Sequence, residues 1–149
     1  MKIRVVFNLV LMFIFMLQVA NAQSKLRPTF AGVYQSGLVG QVGIGTDNEK
    51  KYFGEIRFGA NDVLETGFGI EGHFNRNIYK SDWFNFHAGA MFGYVFYSSA
   101  RIGLPIGFTI KPIESHRNFA ILMEATPNVF TSDSYVNLRA SLGVRYTFR

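Results

Sequence analysis

VNLRASLGVRYTF, residues 136–148, is the stretch whose reading decides the fold. Val136, Leu138, Ala140, Leu142, Val144, Tyr146 and Phe148 fall on one face of an extended chain. Asn137, Arg139, Ser141, Gly143, Arg145 and Thr147 fall on the other, and no position breaks the alternation. Period 2 over so long a run is the mark of a β-strand with two chemically different faces. An apolar face and a polar face must meet different media, and which medium takes which face is the central question.

The same period recurs upstream. Arg101 to Pro112 sets Ile102, Leu104, Ile106, Phe108 and Ile110 against Arg101, Gly103, Pro105, Gly107, Thr109 and Lys111. Trp83 to Ser98 sets Phe84, Phe86, Phe92, Tyr94 and Phe96 against Asn85, His87, Gly89, Met91 and Gly93. Glu65 to Asn75, Asn118 to Val129 and Tyr52 to Ala60 follow the same rule. No segment after Gln23 sustains a helical period. Polar clusters at Asp47–Lys50, Ala60–Asp62, Asn77–Asp82, Ser98–Ser99, Glu114–Asn118 and Thr131–Ser134 read as hairpin turns. Pro105 falls mid-strand and points to the polar face, so a bulge or local break is expected there. Pro127 lies near the end of its strand, where the cost is smaller.

These six strands leave Phe30 to Thr46, FAGVYQSGLVGQVGIGT. It reads as two short strands folded near Gln35-Ser36-Gly37, with Phe30, Gly32 and Tyr34 sharing one face. That gives eight. The alternative is one long strand over residues 30–46 and an odd or open sheet, whose edge would leave backbone groups unpaired.

Residues 1–22 stand apart. Lys2 and Arg4 precede an apolar run, Val5 to Val19, and Ala20-Asn21-Ala22 fits a small-x-small cleavage site. This is the pattern of a secretory signal peptide, leaving residues 23–149 as one mature domain. Its removal takes two of the 15 basic residues and none of the 10 acidic ones, so the mature net charge is +3. An exported chain rarely meets nucleic acid, and no basic cluster stands out. The chain has no Cys, which excludes a disulfide-stapled scaffold and a lipid-modified N-terminal cysteine.

Two architectures give eight alternating strands. A soluble lipocalin-like barrel buries its apolar face around a hydrophobic ligand; a membrane barrel turns that face to lipid. The apolar face here is large and aromatic throughout, and the other face carries Gly, small polar residues and charges of both signs. Tyr52, Tyr79, Trp83, Tyr97, Tyr135 and Tyr146 collect near strand ends, where aromatic girdles meet the membrane interface. The expected fold is an all-β, antiparallel up-and-down transmembrane β-barrel of eight strands with short loops.

This pattern resembles the small outer-membrane β-barrel family of Gram-negative bacteria. The resemblance spans the mature chain. In that family the last strand ends in an aromatic that the barrel-assembly machinery recognises, with apolar residues at alternate positions before it. Leu142, Val144, Tyr146 and Phe148 match; Arg149, beyond the aromatic, departs from it. The resemblance implies export to the periplasm, chaperone and assembly-machinery partners there, and residence as a monomer among outer-membrane lipids. It specifies no activity, because members include envelope-stabilising proteins, adhesins and lipid-modifying enzymes.

The polar face carries Glu55, Arg57, Glu65, Glu71, His73, His87, Arg101, Lys111, Glu124, Arg139 and Arg145. An eight-stranded barrel is only wide enough inside for side chains to fill. Opposite charges in that space are expected to pair and plug the lumen, giving a structural or accessory envelope role with no open pore. The alternative is a lipid-modifying enzyme using Glu71, His73 and His87, since carboxylate and imidazole together serve acid–base chemistry. No cofactor fingerprint and no metal motif appears.

Overall fold

The computed structural model describes residues 29–37, 39–60, 68–96, 99–132 and 136–148. The proposed signal peptide and Glu65, Tyr97, Tyr135 and Arg149 lie outside these residues.

The strands are β1 (Thr29–Ser36), β2 (Val39–Thr46), β3 (Tyr52–Ala60), β4 (Phe68–Lys80), β5 (Phe84–Val95), β6 (Ala100–Gly103), β7 (Ile106–Ile110), β8 (Phe119–Phe130) and β9 (Val136–Phe148). Each pairs antiparallel with its neighbours, and β9 returns to β1, so the sheet closes. β6 and β7 are two halves of one barrel strand, because both pair with β5 on one side and β8 on the other. The barrel therefore has eight staves.

The first two staves are separate short strands. Ser36 pairs with Val39, leaving a two-residue turn in which Gly37 takes φ 60°. That left-handed conformation is open to Gly at little cost. At the other closure, Thr29 faces Phe148 and Gln35 faces Leu142, so every residue of β9 from Leu142 onward is used.

Register fixes the geometry of the barrel. The row of neighbours that starts at Ala31 runs through Ile44, Ile56, Gly72, Phe92, Ile102 and Val129 to Val136 on β9. Ala31 itself pairs with Tyr146 of β9, ten residues further on. A stagger of ten over eight strands, with ~3.3 Å per residue and ~4.8 Å between strands, tilts the staves by about 40°. The 13-residue strands β4 and β9 then rise about 30 Å, enough to cross the apolar band of a bilayer.

Pro105 breaks the ladder without shifting it. The pairing offset on β5 and β8 is the same before Leu104 as after Pro105. The break is therefore a gap and not a bulge. The Leu104 N–H donates to the Pro127 carbonyl at 3.0 Å, and the Gly89 N–H donates to the Pro105 carbonyl at 2.9 Å. Neither proline has an N–H to return, so each of these two pairs keeps one bond where an ordinary residue would give two.

The actual bulge is elsewhere. The Asn77–Asp82 segment is not a turn as its composition suggests. β4 continues to Lys80, and its register against β5 slips by one residue between Asn77 and Tyr79. The extra residue puts Ile78 and Tyr79 both on the outside.

The burial pattern is inverted relative to a soluble protein. Val33, Ile44, Phe74, Phe92, Ile102, Leu138 and Leu142 are each more than half exposed. Arg57, Glu71, His87 and Arg145 are fully buried. An apolar surface continuous around the barrel cannot face water without large cost, so the wet-outside, lipocalin-like alternative is not the one this surface fits. At the end holding both termini, Tyr52, Tyr79, Trp83 and Tyr146 are all exposed near strand ends, where a membrane interface would lie.

Candidate functional site

The interior is built by the inward alternate positions. Three clusters run along it.

The middle cluster joins opposite walls. Glu55 on β3 binds Arg145 of β9 at 2.5 Å and Arg57 of its own strand at 3.0 Å. Arg57 also reaches Glu124 on β8, donating from both terminal nitrogens at 2.7 and 3.0 Å. That two-pronged geometry orients the guanidinium as well as neutralising it. Thr126 donates to Glu124 at 3.4 Å, and the His87 ring nitrogen Nε2 lies 3.7 Å from the same carboxylate.

A second cluster centres on Glu71 of β4. Arg139 donates to both of its oxygens at 2.7 Å, Arg101 forms an ion pair with it, and Gln41 donates at 3.1 Å. His73 Nε2 lies 3.1 Å from Oε2 of the same group. One carboxylate thus binds two guanidiniums from two other staves. The third cluster sits at the end that holds the termini. Glu49, in the turn after β2, reaches in to Lys111 at 3.2 Å and accepts from Asn85 at 3.3 Å.

Aromatic rings complete the packing. Tyr34 on β1 accepts from Arg145 Nε at 2.9 Å, and the Arg57 guanidinium stacks 4.1 Å from its ring centre. Arg145 also lies 4.6 Å from the Phe30 ring centre. Phe30, Tyr34 and Phe53 are all buried inside. The polar-face reading of the sequence did not include these rings or Glu49. A signal for the rings exists: a side chain added at Gly32, Gly43 or Gly143 would run into the Tyr34 ring, and one at Gly45 into Phe30. Glycines at facing positions of adjacent strands leave the volume that a large ring occupies.

Of the sequence candidates, Glu55, Arg57, Glu71, Arg101, Lys111, Glu124, Arg139 and Arg145 all face the interior. Glu71, His73 and His87 do not form one constellation. His73 is paired with Met91 across the β4–β5 seam, and His87 with Asn77. Four residues of β4 separate these positions, about 13 Å at ~3.3 Å per residue. Each histidine sits against a different carboxylate. Among the described residues no three His, Asp or Glu gather as metal ligands. Ser141 faces inward with no hydrogen-bond partner for its hydroxyl.

The chain superposes on the N-terminal β-barrel domain of Pseudomonas aeruginosa OprF with a TM-score of 0.60, at 12% identity, over 81% of this chain and 96% of that one. The fold is that of a small transmembrane β-barrel. The barrel also matches a structure from the de novo design of transmembrane β-barrels, with a TM-score of 0.53, 13% identity, and 81% and 93% of the two chains covered. No protein-family model and no curated protein matches it. A designed barrel among the matches underlines what the likeness carries: the strand count, closure and inside-out patterning, at sequence identities too low to transfer an activity.

Proposed function

We propose that the protein is an integral outer-membrane barrel whose lumen is closed by its own ion pairs and whose role in the envelope is structural or accessory. The supporting observation is the cross-wall network. Arg57, Arg101, Arg139 and Arg145 bind Glu55, Glu71 and Glu124, and Tyr34, Phe30 and Phe53 pack among them. These groups are held by partners on other staves, so clearing a water path means breaking several buried ion pairs at once, each strongly unfavourable to break. His73 lies against Glu71 and His87 against Glu124, so the two histidines do not share one carboxylate as a single acid–base centre.

In this reading the end with both termini faces the periplasm, and the chain reaches it by secretion. Periplasmic chaperones and the assembly machinery then receive it, the latter through Leu142, Val144, Tyr146 and Phe148. In this reading it works as a monomer, and the closure of β9 on β1 removes strand-edge pairing as a route to a second copy.

Fractionation tests the membrane placement. The protein should stay with membranes through carbonate and urea washes, and should migrate faster in detergent gels unheated than boiled. Release into the wash would contradict it.

A further inference from the structure

Glycines that face the interior are explained by what they face, but three that point outward, Gly40, Gly54 and Gly72, are not; Gly54 pairs with Phe74, beside Gly72. Gly72 points outward from β4, and a side chain there would meet only the Phe92 carbonyl, at 4.0 Å. Glycine weakens a strand where nothing requires it. Ala88 and Ala90 of β5 point outward beside Gly72, opposite Arg76 and Phe74. An open groove of about 1300 Å³ winds round the outside of the barrel, and Gly72, Phe74, Ala90, Phe92 and Leu104 line this part of it.

At its foot lies the one outward-facing cation of β4 that precedes the bulge. Arg76 pairs in register with Tyr52 and sits 5.9 Å from its ring centre; Lys51 approaches the same ring at 5.8 Å. Tyr52 in turn stacks on Phe74, centroids 5.9 Å apart. Two cations on one interfacial tyrosine, beside an apolar trough, form a headgroup seat joined to a tail seat. The charge distribution agrees. Among the described residues the exposed lysines and arginines, Lys50, Lys51, Arg76 and Lys80, all lie at the end that holds the termini, on or next to β3 and β4.

The geometry points to a bound anionic phospholipid: its phosphate held between Lys51 and Arg76, one acyl chain lying over Ala88 and Ala90 beside Phe74. The occupant is a bilayer lipid because the trough lies within the apolar belt, where a free phosphate would leave the tail seat empty. The site rests on the barrel being in a bilayer, which the washes and gels above test separately.

Trp83, the single tryptophan, is exposed at the same rim and reports on lipid beside it. The full-length mature chain is refolded into phosphatidylcholine vesicles with increasing fractions of chain-brominated phosphatidylglycerol or chain-brominated phosphatidylcholine. The anionic lipid should quench Trp83 with an apparent affinity higher by roughly fivefold per engaged cation. Arg76→Gln and Lys51→Gln should each remove most of one such factor. Arg117→Gln, which makes the same charge change in the turn after β7, should leave the preference in place. Ala90→Leu should weaken binding of the anionic lipid without changing charge. Heat-shifted gel migration checks that each variant is folded. Equal quenching by the two lipids, an equal loss in Arg117→Gln and Arg76→Gln, or unchanged affinity in Ala90→Leu would overturn the assignment.

Discussion

Glu71→Gln should destabilise the barrel by about 3–5 kcal/mol, the usual cost of removing one partner from a buried ion pair. The size follows from geometry. Glu71, itself without solvent exposure, receives both terminal nitrogens of Arg139, the Arg101 guanidinium and Gln41, and lies against His73. Glutamine keeps the shape and one acceptor but loses the charge, so two guanidiniums face each other across the lumen without the anion between them. Urea unfolding of the refolded protein in micelles, followed by Trp83 fluorescence, measures the loss. Adding Arg139→Gln should recover part of it, since one cation then remains where there were two. A cost below about 1 kcal/mol, the range of solvated ion pairs, would mean that water fills the lumen.

The second large effect concerns β9. Phe148→Ala should reduce the amount of folded protein in the outer membrane several-fold, whereas deletion of Arg149 should leave it nearly unchanged. Phe148 is exposed to the lipid side, pairs in register with Thr29, and packs edge-on to Tyr146 at 5.2 Å. Its loss therefore removes lipid-facing aromatic surface at the seam that closes the barrel, in addition to the alternate-position aromatic proposed for recognition. Quantifying the heat-modifiable species in membrane fractions decides the matter. Equal effects of the two changes would contradict the assembly role of the aromatic.

The fold was legible from alternation because each stave turns its two faces to different media. VNLRASLGVRYTF projects Arg139 and Arg145 inward and Leu142, Val144 and Tyr146 outward, as its period implies. Pro105 announced its break because proline lacks a donor wherever it falls. The composition of Asn77–Asp82 misleads for the converse reason. Asn77 and Ser81 look like loop residues, but Asn77 sits on β4 at the rim of the interior, where polar residues are normal on strands. A rule learned from soluble turns fails where the buried face is the polar one.

Within the site, which residues face inward was readable, but which partner each one takes was not. Partner choice depends on the stagger of ten residues around the ring, which brings Glu71 of β4 to Arg139 of β9 and Glu55 of β3 to Arg145. That stagger is the sum of every turn length and is invisible in any one strand. The offset between β4 and β5 likewise separates His87 from His73, which adjacent strands alone would have placed together. Tyr34 and Phe30 were hidden because an aromatic on the inner face breaks the polar rule, and only the glycines around them mark the space.

Single-barrel recording in planar bilayers tests the central claim most directly. The protein should insert, as shown by protease protection or tryptophan quenching in the same lipid, and yet pass no steady current. A stable conductance from the wild-type barrel would contradict a lumen closed by Arg57, Arg139 and Arg145 and their carboxylates.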